Sequence, residues 1–287
     1  MNSRKIVIGT ANFGMKYGLD NKDINPREIK KILGYCKKKG IKTLDTAPGY
    51  GNALENLRKN EIVNWDIISK IPSIPKNTKD ISSYIYNIFF STLKKINVSK
   101  IHTILIHDEK DILNVTRGKK IVKILNNLKK EKLVKRVGCS IYDSFKVSRV
   151  IKNYNFDVLQ CPYNIFDKRL VDSGLFRLLK LRNINIHLRS IFLQGLLLRN
   201  KNNIPIQFKN NYKITNYYKW IKKNNFSNIK ICLSELDKID YEKIIIGVNN
   251  INQLKEIINF KKCLNQSTDI LKTRNLKLID PRTWNYN

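Results

Sequence analysis

Acidic residues are scarce in this chain, and so are histidine and cysteine. Asp and Glu number 23 against 55 Lys and Arg, a formal net charge of +32 over 287 residues. Such an imbalance raises the case for a polyanionic partner, nucleic acid or an anionic membrane surface. The lysines, however, are spread through helix-like stretches as Lys30-Lys31, Lys37-Lys38-Lys39, Lys94-Lys95, Lys119-Lys120 and Lys129-Lys130. They are not gathered into one arm, and no nucleic-acid motif accompanies them. The same abundance of Lys, Asn and Ile runs through the whole chain, as compositional bias gives. The charge therefore reads as solvated helix faces, and no nucleic-acid partner is expected.

The other shortages exclude further classes. Three histidines without paired spacing, His102, His107 and His187, argue against a metal site. The five cysteines, Cys36, Cys139, Cys161, Cys232 and Cys263, are odd in number and contain no C-x-x-C. They read as small buried residues in a reducing compartment, neither a disulfide frame nor a zinc site. No apolar stretch approaches the roughly 18–20 residues that span a bilayer. The first residues run directly into a strand-like segment without the apolar core of a signal peptide. A cytoplasmic protein without a membrane segment is the expectation. G-x-G-x-x-G is missing too, and the Gly-bounded loop at 9–14 is followed by Met15-Lys16 where a phosphate loop requires Lys-Ser/Thr.

What is present is a rhythm. Apolar, β-branched runs at 6–8, 41–45, 65–71, 101–107, 134–140, 158–160, 184–188 and 243–246 alternate with helix-period segments. The first helix opens on Asn25-Pro26, a cap followed by a first-turn proline, and ends at Gly40. Others are expected at 53–59, 81–96, about 119–130, from Ser144, from an Asp167 cap through Leu181, near 213–223 and 228–236, and at 251–258. The stretch 190–212 reads as a looser, polar, Asn-rich connection. Eight strand–helix units predict a parallel sheet closed as a (β/α)8 TIM barrel, in a single domain over 1–287 with a C-terminal tail from about 261. A doubly wound open sheet would carry a phosphate-binding glycine fingerprint in its first turn, and none is there.

A barrel concentrates function at the C-terminal strand ends. The polar residues at those ends are Asp45, Lys70, His107, Ser140 and Gln160, each closing an apolar or β-branched run. Any one alone reads as a strand end facing solvent, but five at successive strand ends form a pattern. The centre is Leu44-Asp45-Thr46-Ala47-Pro48-Gly49-Tyr50-Gly51, which carries an acid and a phenol across a Pro-Gly bend. A free phenol, with a pKa near 10, is a poor acid at neutral pH, and a nearby Lys70 ammonium is expected to lower that pKa. Asp45 would hold the ammonium, and a neutral His107 would orient a carbonyl. Such a set protonates a carbonyl oxygen while a hydride reaches the carbon, and the hydride calls for a nicotinamide cofactor.

The ordered motifs Gly9-Thr10-Ala11-x-Phe13-Gly14, Leu44-Asp45-Thr46-Ala47-x-x-Tyr50-Gly51, Ser69-Lys70, Leu105-Ile106-His107, Val137-Gly138-x-Ser140, Leu159-Gln160-x-Pro162-Tyr163-Asn164, Ser190-x-Phe192-Leu193-Gln194-Gly195 and Ile246-Gly247 resemble the aldo/keto reductase superfamily. The likeness runs in order from about residue 4 to 260. It implies NADPH- or NADH-dependent reduction of an aldehyde or ketone, with Asp45, Tyr50, Lys70 and His107 as the catalytic group and Tyr50 as general acid. It implies carboxamide-binding positions at Ser140 and Gln160, and further cofactor contacts from Thr10, Ser190, Gly247 and Asn249. Three departures stand out. Ile141 follows Ser140 where the family often has Asn. Arg189 occupies the aligned position of an aromatic that stacks on the nicotinamide, and its planar guanidinium offers an alternative surface. Gln253 stands about where NADPH-preferring members carry Arg, which leaves NADH open as the cofactor. Asn12, Phe13 and Phe192 are candidates to line the pocket, whereas His102 and His187 read as packed residues. The Ser-x-Phe-Leu-Gln-Gly segment and the 279–284 tail, expected to fold over the barrel, are similar to bacterial members of sugar and surface-polysaccharide metabolism, which implies a sugar-like carbonyl substrate. A cofactor-binding sensor on the same barrel is the alternative, and the intact set of four argues against it.

Overall fold

The computed structural model describes residues 2–260 and 267–284. Eight parallel strands close a barrel in sequence order: β1 (Ile6–Gly9), β2 (Thr43–Asp45), β3 (Asp66–Ile71), β4 (Ile101–Ile106), β5 (Val134–Ser140), β6 (Val158–Pro162), β7 (Asn185–Arg189) and β8 (Lys243–Ile246). β1 closes the ring by pairing with both β2 and β8. The expected (β/α)8 barrel is the observed architecture.

Local chemistry explains the elements around it. Asn25 accepts from the Arg27 N–H and Pro26 takes the first turn of the helix Pro26–Lys38. Ile29, Ile32, Leu33 and Cys36 form its buried stripe, and Gly40 leaves the helix at φ +71°. Asp80 caps Ile81–Ile96 through the Ser83 N–H, and Asn97 ends that helix in the left-handed region. The helix expected from Asp167 through Leu181 is instead two pieces, Arg169–Asp172 and Leu175–Leu181. Gly174, at φ +73°, interrupts it, because glycine adopts a conformation there that continues neither turn. The 190–212 connection is not loose: Ile191 and Phe192 are buried in a turn, and Leu193, Leu196, Leu197 and Phe208 are buried within short helical turns.

Buried apolar side chains form two clusters. Val7, Ile68, Leu105 and Val158, with the partly buried Ile245 against them, pack apart from the larger set that joins the strands to the helices. Alternation along the strands puts this small cluster inside the barrel, as a floor. The inward positions one pleat higher then include Gly9, Asp45, Lys70, His107, Ser140, Gln160 and Arg189. Cys36, Cys139, Cys161 and Cys232 are buried and free, and Cys263 lies outside the described residues. No helix among the described residues is long and apolar enough to cross a membrane.

Gly138 shows how tightly the barrel wall is packed. A Cβ there would lie 2.1 Å from the Val158 carbonyl oxygen and 2.7 Å from Val158 Cγ1, and a backbone oxygen cannot swing aside. Gly138→Ala is expected to destabilise the fold by on the order of 3 kcal/mol. A urea midpoint within error of the parent would refute that packing account.

Candidate active site

The chain after β2 sets the site. Asp45 ends the strand, inward by parity, and is 3% exposed. The turn Pro48-Gly49 then carries Tyr50 back over the mouth, with the Tyr50 N–H donating to the Ala47 carbonyl at 3.1 Å. Thr10, at the end of β1, donates its hydroxyl to the Asp45 carbonyl at 3.0 Å and fixes the strand end. Lys70, 2% exposed, places Nζ 2.6 Å from Asp45 Oδ1 and 3.1 Å from the Thr46 carbonyl. Gln160 donates from Nε2 to the other carboxylate oxygen, Oδ2, at 2.8 Å. Both oxygens of a buried carboxylate are thus satisfied, one by a cation and one by an amide.

Tyr50 and His107 complete the group. Their rings meet edge to face at 6.1 Å and 80°, and the Lys70 ammonium lies 5.2 Å from the Tyr50 ring centroid. The Tyr50 hydroxyl makes no hydrogen bond to any described residue and belongs to the wall of a cavity of about 350 Å³. That wall also includes Thr10, Asp45, Lys70, His107, Ser140 and Gln160. The sequence candidates Arg189, Ser190, Gly247, Asn249 and Gln253 line the same space. Asn12 and Phe192 do as well, whereas Phe13 packs into the hydrophobic core.

The electrostatics correct one expectation. Lys70 was expected to lower the Tyr50 pKa, but burial, and after it the Asp45 carboxylate, raises the phenol well above its ordinary value, with Arg189 opposing in part. Asp45 holds the Lys70 charge at close range, so the ammonium does not dominate the field at the phenol. Burial, with Lys70 and Arg189 adding to it, pushes His107 down to about 3, so the imidazole is neutral. His187 lies inside the barrel against Glu242, Nε2 to Oε2 3.1 Å, as a packed residue. Among the described residues no cluster of His, Cys, Asp or Glu is arranged to hold a metal ion.

The donor set fits a nicotinamide dinucleotide. Ser140 and Gln160 bring polar side chains to the base of the cavity, and Gly247 leaves open space where a Cβ would stand. Asn249 and the start of the helix Ile251–Ile258 follow, a place where backbone N–H groups collect for phosphate. Gln253 accepts from the Asn249 N–H at 2.7 Å and Asn12 donates to Asn249 Oδ1 at 2.9 Å, so this corner is held by neutral groups. Among the described residues after β8, no lysine or arginine lines the cavity wall.

Sequence reasoning missed two features. One is Tyr142, just past β5, whose ring lies under the Arg189 guanidinium at 4.0 Å and under Arg282 at 3.6 Å. One face of Arg189 is therefore already covered, and the 279–284 tail does reach the barrel mouth, with Trp284 edge to face on Phe208 at 4.9 Å. The other is a strap over the mouth. The loop after β1 meets the loop after β7 through the Leu19 N–H to the Gln194 carbonyl at 3.2 Å and the Arg199–Asp20 ion pair at 2.5 Å. Gly18, Leu19, Asp20 and Arg199 line the cavity from above. Neither feature has a local pattern, since each joins residues more than forty positions apart.

The family model described as Aldo/keto reductase family matches residues 5–272. No protein of curated function matches the chain in sequence. Among solved structures, the chain is similar to aldo-keto reductase AKR11C1 from Bacillus halodurans in its holo form, with TM-score 0.73 and 16% identity over 91% of this chain and 88% of that one. It is also similar to a candidate aldo-keto reductase from Pseudomonas aeruginosa, with TM-score 0.65 and 17% identity over 88% and 87%. At these identities the likeness shows the fold.

His107 supplies a pH test. The unfolded chain takes up a proton near pH 6.5 and the folded one holds its imidazole neutral to about 3. Its contribution to stability is present above 6.5 and is lost progressively as the pH falls from 6.5 toward 3. NMR of the His107 ring is expected to show no titration midpoint between about pH 5 and 8. A midpoint near 6.5 would contradict the desolvated environment.

Proposed function

The chain belongs to the aldo/keto reductase family, and on that premise we propose that it reduces an aldehyde or ketone to the alcohol with NADH or NADPH, Tyr50 acting as general acid. One observation carries the reading: Asp45, Tyr50, Lys70 and His107 converge on a single cavity from β2, the loop after it, β3 and the end of β4. The family and the barrel point to carbonyl reduction in general, and the arrangement of these four supports the division of labour below.

Tyr50 keeps its proton at neutral pH, because burial and Asp45 both oppose the phenolate. It is therefore loaded as an acid and, among the described residues, free of hydrogen bonds, ready to donate to a carbonyl oxygen. Neutral His107, edge-on to the phenol, orients that oxygen and does not compete as a cation. As negative charge grows on the oxygen, the Tyr50 proton transfers to it. The nearby ammonium of Lys70 then stabilises the phenolate left behind. Asp45 is a positioning residue: it holds Lys70 in the dry floor of the cavity. A nicotinamide cofactor, when bound, supplies the hydride. Ser140 and Gln160 would hold its carboxamide, and Thr10, Ser190, Gly247, Asn249 and Gln253 would hold the rest.

The neutral corner at Asn249 and Gln253 favours a cofactor without a 2′-phosphate. A sugar-like carbonyl suits the polar side chains that the two loops of the strap bring to the cavity, Asp20 and Gln194.

Tyr50→Phe is expected to lower kcat for carbonyl reduction by about 10²–10⁴-fold while cofactor affinity stays within a few fold. Near-parent turnover in this variant would remove Tyr50 from the role. Fluorescence titration with both cofactors in parallel is expected to give a dissociation constant for NADH no weaker than for NADPH. A tenfold preference for NADPH would mean that a cation outside this corner reads the phosphate, and absence of binding by either would overturn the function.

A further inference from the structure

Among the described residues, the cationic groups in the cavity wall are neutralised with one exception. The Lys70 ammonium is held by Asp45 at 2.6 Å and the Arg199 guanidinium by Asp20 at 2.5 Å. Arg189 lines the same cavity, yet no carboxylate among the described residues lies within ion-pair distance of it. Its terminal nitrogens donate to the Ile141 carbonyl at 2.7 Å and the Ser190 hydroxyl at 3.2 Å, and Nε is buried without a partner. A guanidinium carries five donors, so more remain than are used.

The surroundings hold this group in place without cancelling its charge. The Arg189 Cζ lies over the Tyr142 ring, 4.0 Å from its centroid, and the Arg282 Cζ lies over the same ring at 3.6 Å. Arg282 is itself paired with Asp280, at 2.6 Å from Nη2 to Oδ2, so the second cation of the stack is neutralised and the first is not. The backbone beyond Arg189 is strained: Ser190, Leu193 and Gln194 take φ of +59°, +47° and +52°. Such conformations are unfavourable for non-glycine residues and persist where a ligand clamp is fixed by its surroundings. Asn164 helps to fix it, donating to the Ser190 carbonyl at 3.0 Å.

A stacked guanidinium with spare donors, at the edge of a partly dry cavity, is a receptor for a planar or tetrahedral oxyanion. We propose that Arg189 binds an anionic group of the substrate, a carboxylate or a phosphate, so that the molecule reduced is an aldehyde or ketone carrying that anion a few bonds from its carbonyl. The inference rests on the reading of this cavity as a carbonyl reductase site. The anion is assigned to the substrate because Arg189 lines the same cavity wall as the reacting side chains Tyr50 and His107. The neutral corner suited to the cofactor's adenosine phosphates, at Asn249 and Gln253, lies instead after β8.

Matched substrates separate the possibilities. kcat/KM is measured for butanal against 4-oxobutanoate, and for glyceraldehyde against glyceraldehyde 3-phosphate, with the parent protein, Arg189→Lys and Arg189→Gln at saturating cofactor. In the parent, the charged member of one pair is expected to win by about 10–100-fold, and which pair does so identifies carboxylate or phosphate. The ratio within a pair is expected to fall to about one in Arg189→Gln and to be partly kept in Arg189→Lys, whatever either variant does to the absolute rate. A parent ratio near one, or the same ratio in Arg189→Gln, overturns the assignment. So does a tenfold loss of NADH or NADPH affinity in Arg189→Gln with the ratio unchanged, which would place the guanidinium on the cofactor. If the parent reduces none of the four carbonyls, the carbonyl-reductase reading fails first and this inference fails with it.

Discussion

The buried pair between Asp45 and Lys70 is the constraint on which the mouth of this barrel depends. Two charges removed from water are held together only by good geometry and by hydrogen bonds to their remaining atoms. Here the 2.6 Å contact joins β2 to β3, Gln160 brings β6 onto the second carboxylate oxygen, and Thr10 ties β1 to the Asp45 backbone. Four strands thus share one electrostatic knot at the level where substrate would sit. Removing one partner would leave a buried charge uncompensated, a loss of about 3–5 kcal/mol in comparable cases. The pair also shapes the chemistry, because an ammonium already bound to a carboxylate does not pull a proton off the neighbouring phenol. Tyr50 remains protonated, and in the proposed reaction Lys70 would act on the charge that develops there later.

Above this floor the structure is built from long-range contacts. The loop after β1 and the loop after β7 meet over the cavity through Leu19, Gln194, Asp20 and Arg199. The C-terminal segment approaches from the side of β5. Thr268 hydrogen-bonds Glu235, which also pairs with the buried Lys168 and accepts from the Tyr163 hydroxyl. The Thr273 N–H reaches the Phe166 carbonyl at 2.9 Å. Those attachments hold the segment that brings Arg282 onto Tyr142, and Tyr142 in turn holds Arg189. The cavity wall at Arg189 is therefore tied to a part of the chain remote from β2, β3 and β4.

The excess of basic residues has two different settings. Most of the lysines sit on exposed helix faces, where water and salt screen them and individual ion pairs add little. Arg189 is the case where the excess matters locally, because it lines the cavity half-buried and no acid among the described residues neutralises it. The same side chain on the outer surface would carry no information about a ligand.

The sequence by itself determined the barrel, because parallel strands and helices have different periods and both were visible. Strand ends were readable for the same reason: Asp45, Lys70, His107, Ser140 and Gln160 each close an apolar or β-branched run, and the fold gathers such ends at one rim. Local signals also marked the Asn25 cap and the Gly40 stop. The break at Gly174 was not evident, since a glycine within a helical pattern marks a stop only when its φ turns positive. The buried turns of 190–212 were hidden by their polar composition, because Leu193, Leu196 and Leu197 find their cover in other elements. The protonation of Tyr50, the strap through Asp20 and Arg199, and the uncompensated Arg189 against Tyr142 were decided by tertiary structure alone. Each depends on distance and solvent exclusion between residues far apart in the chain, and a charge has no fixed meaning until its neighbours and its access to water are set.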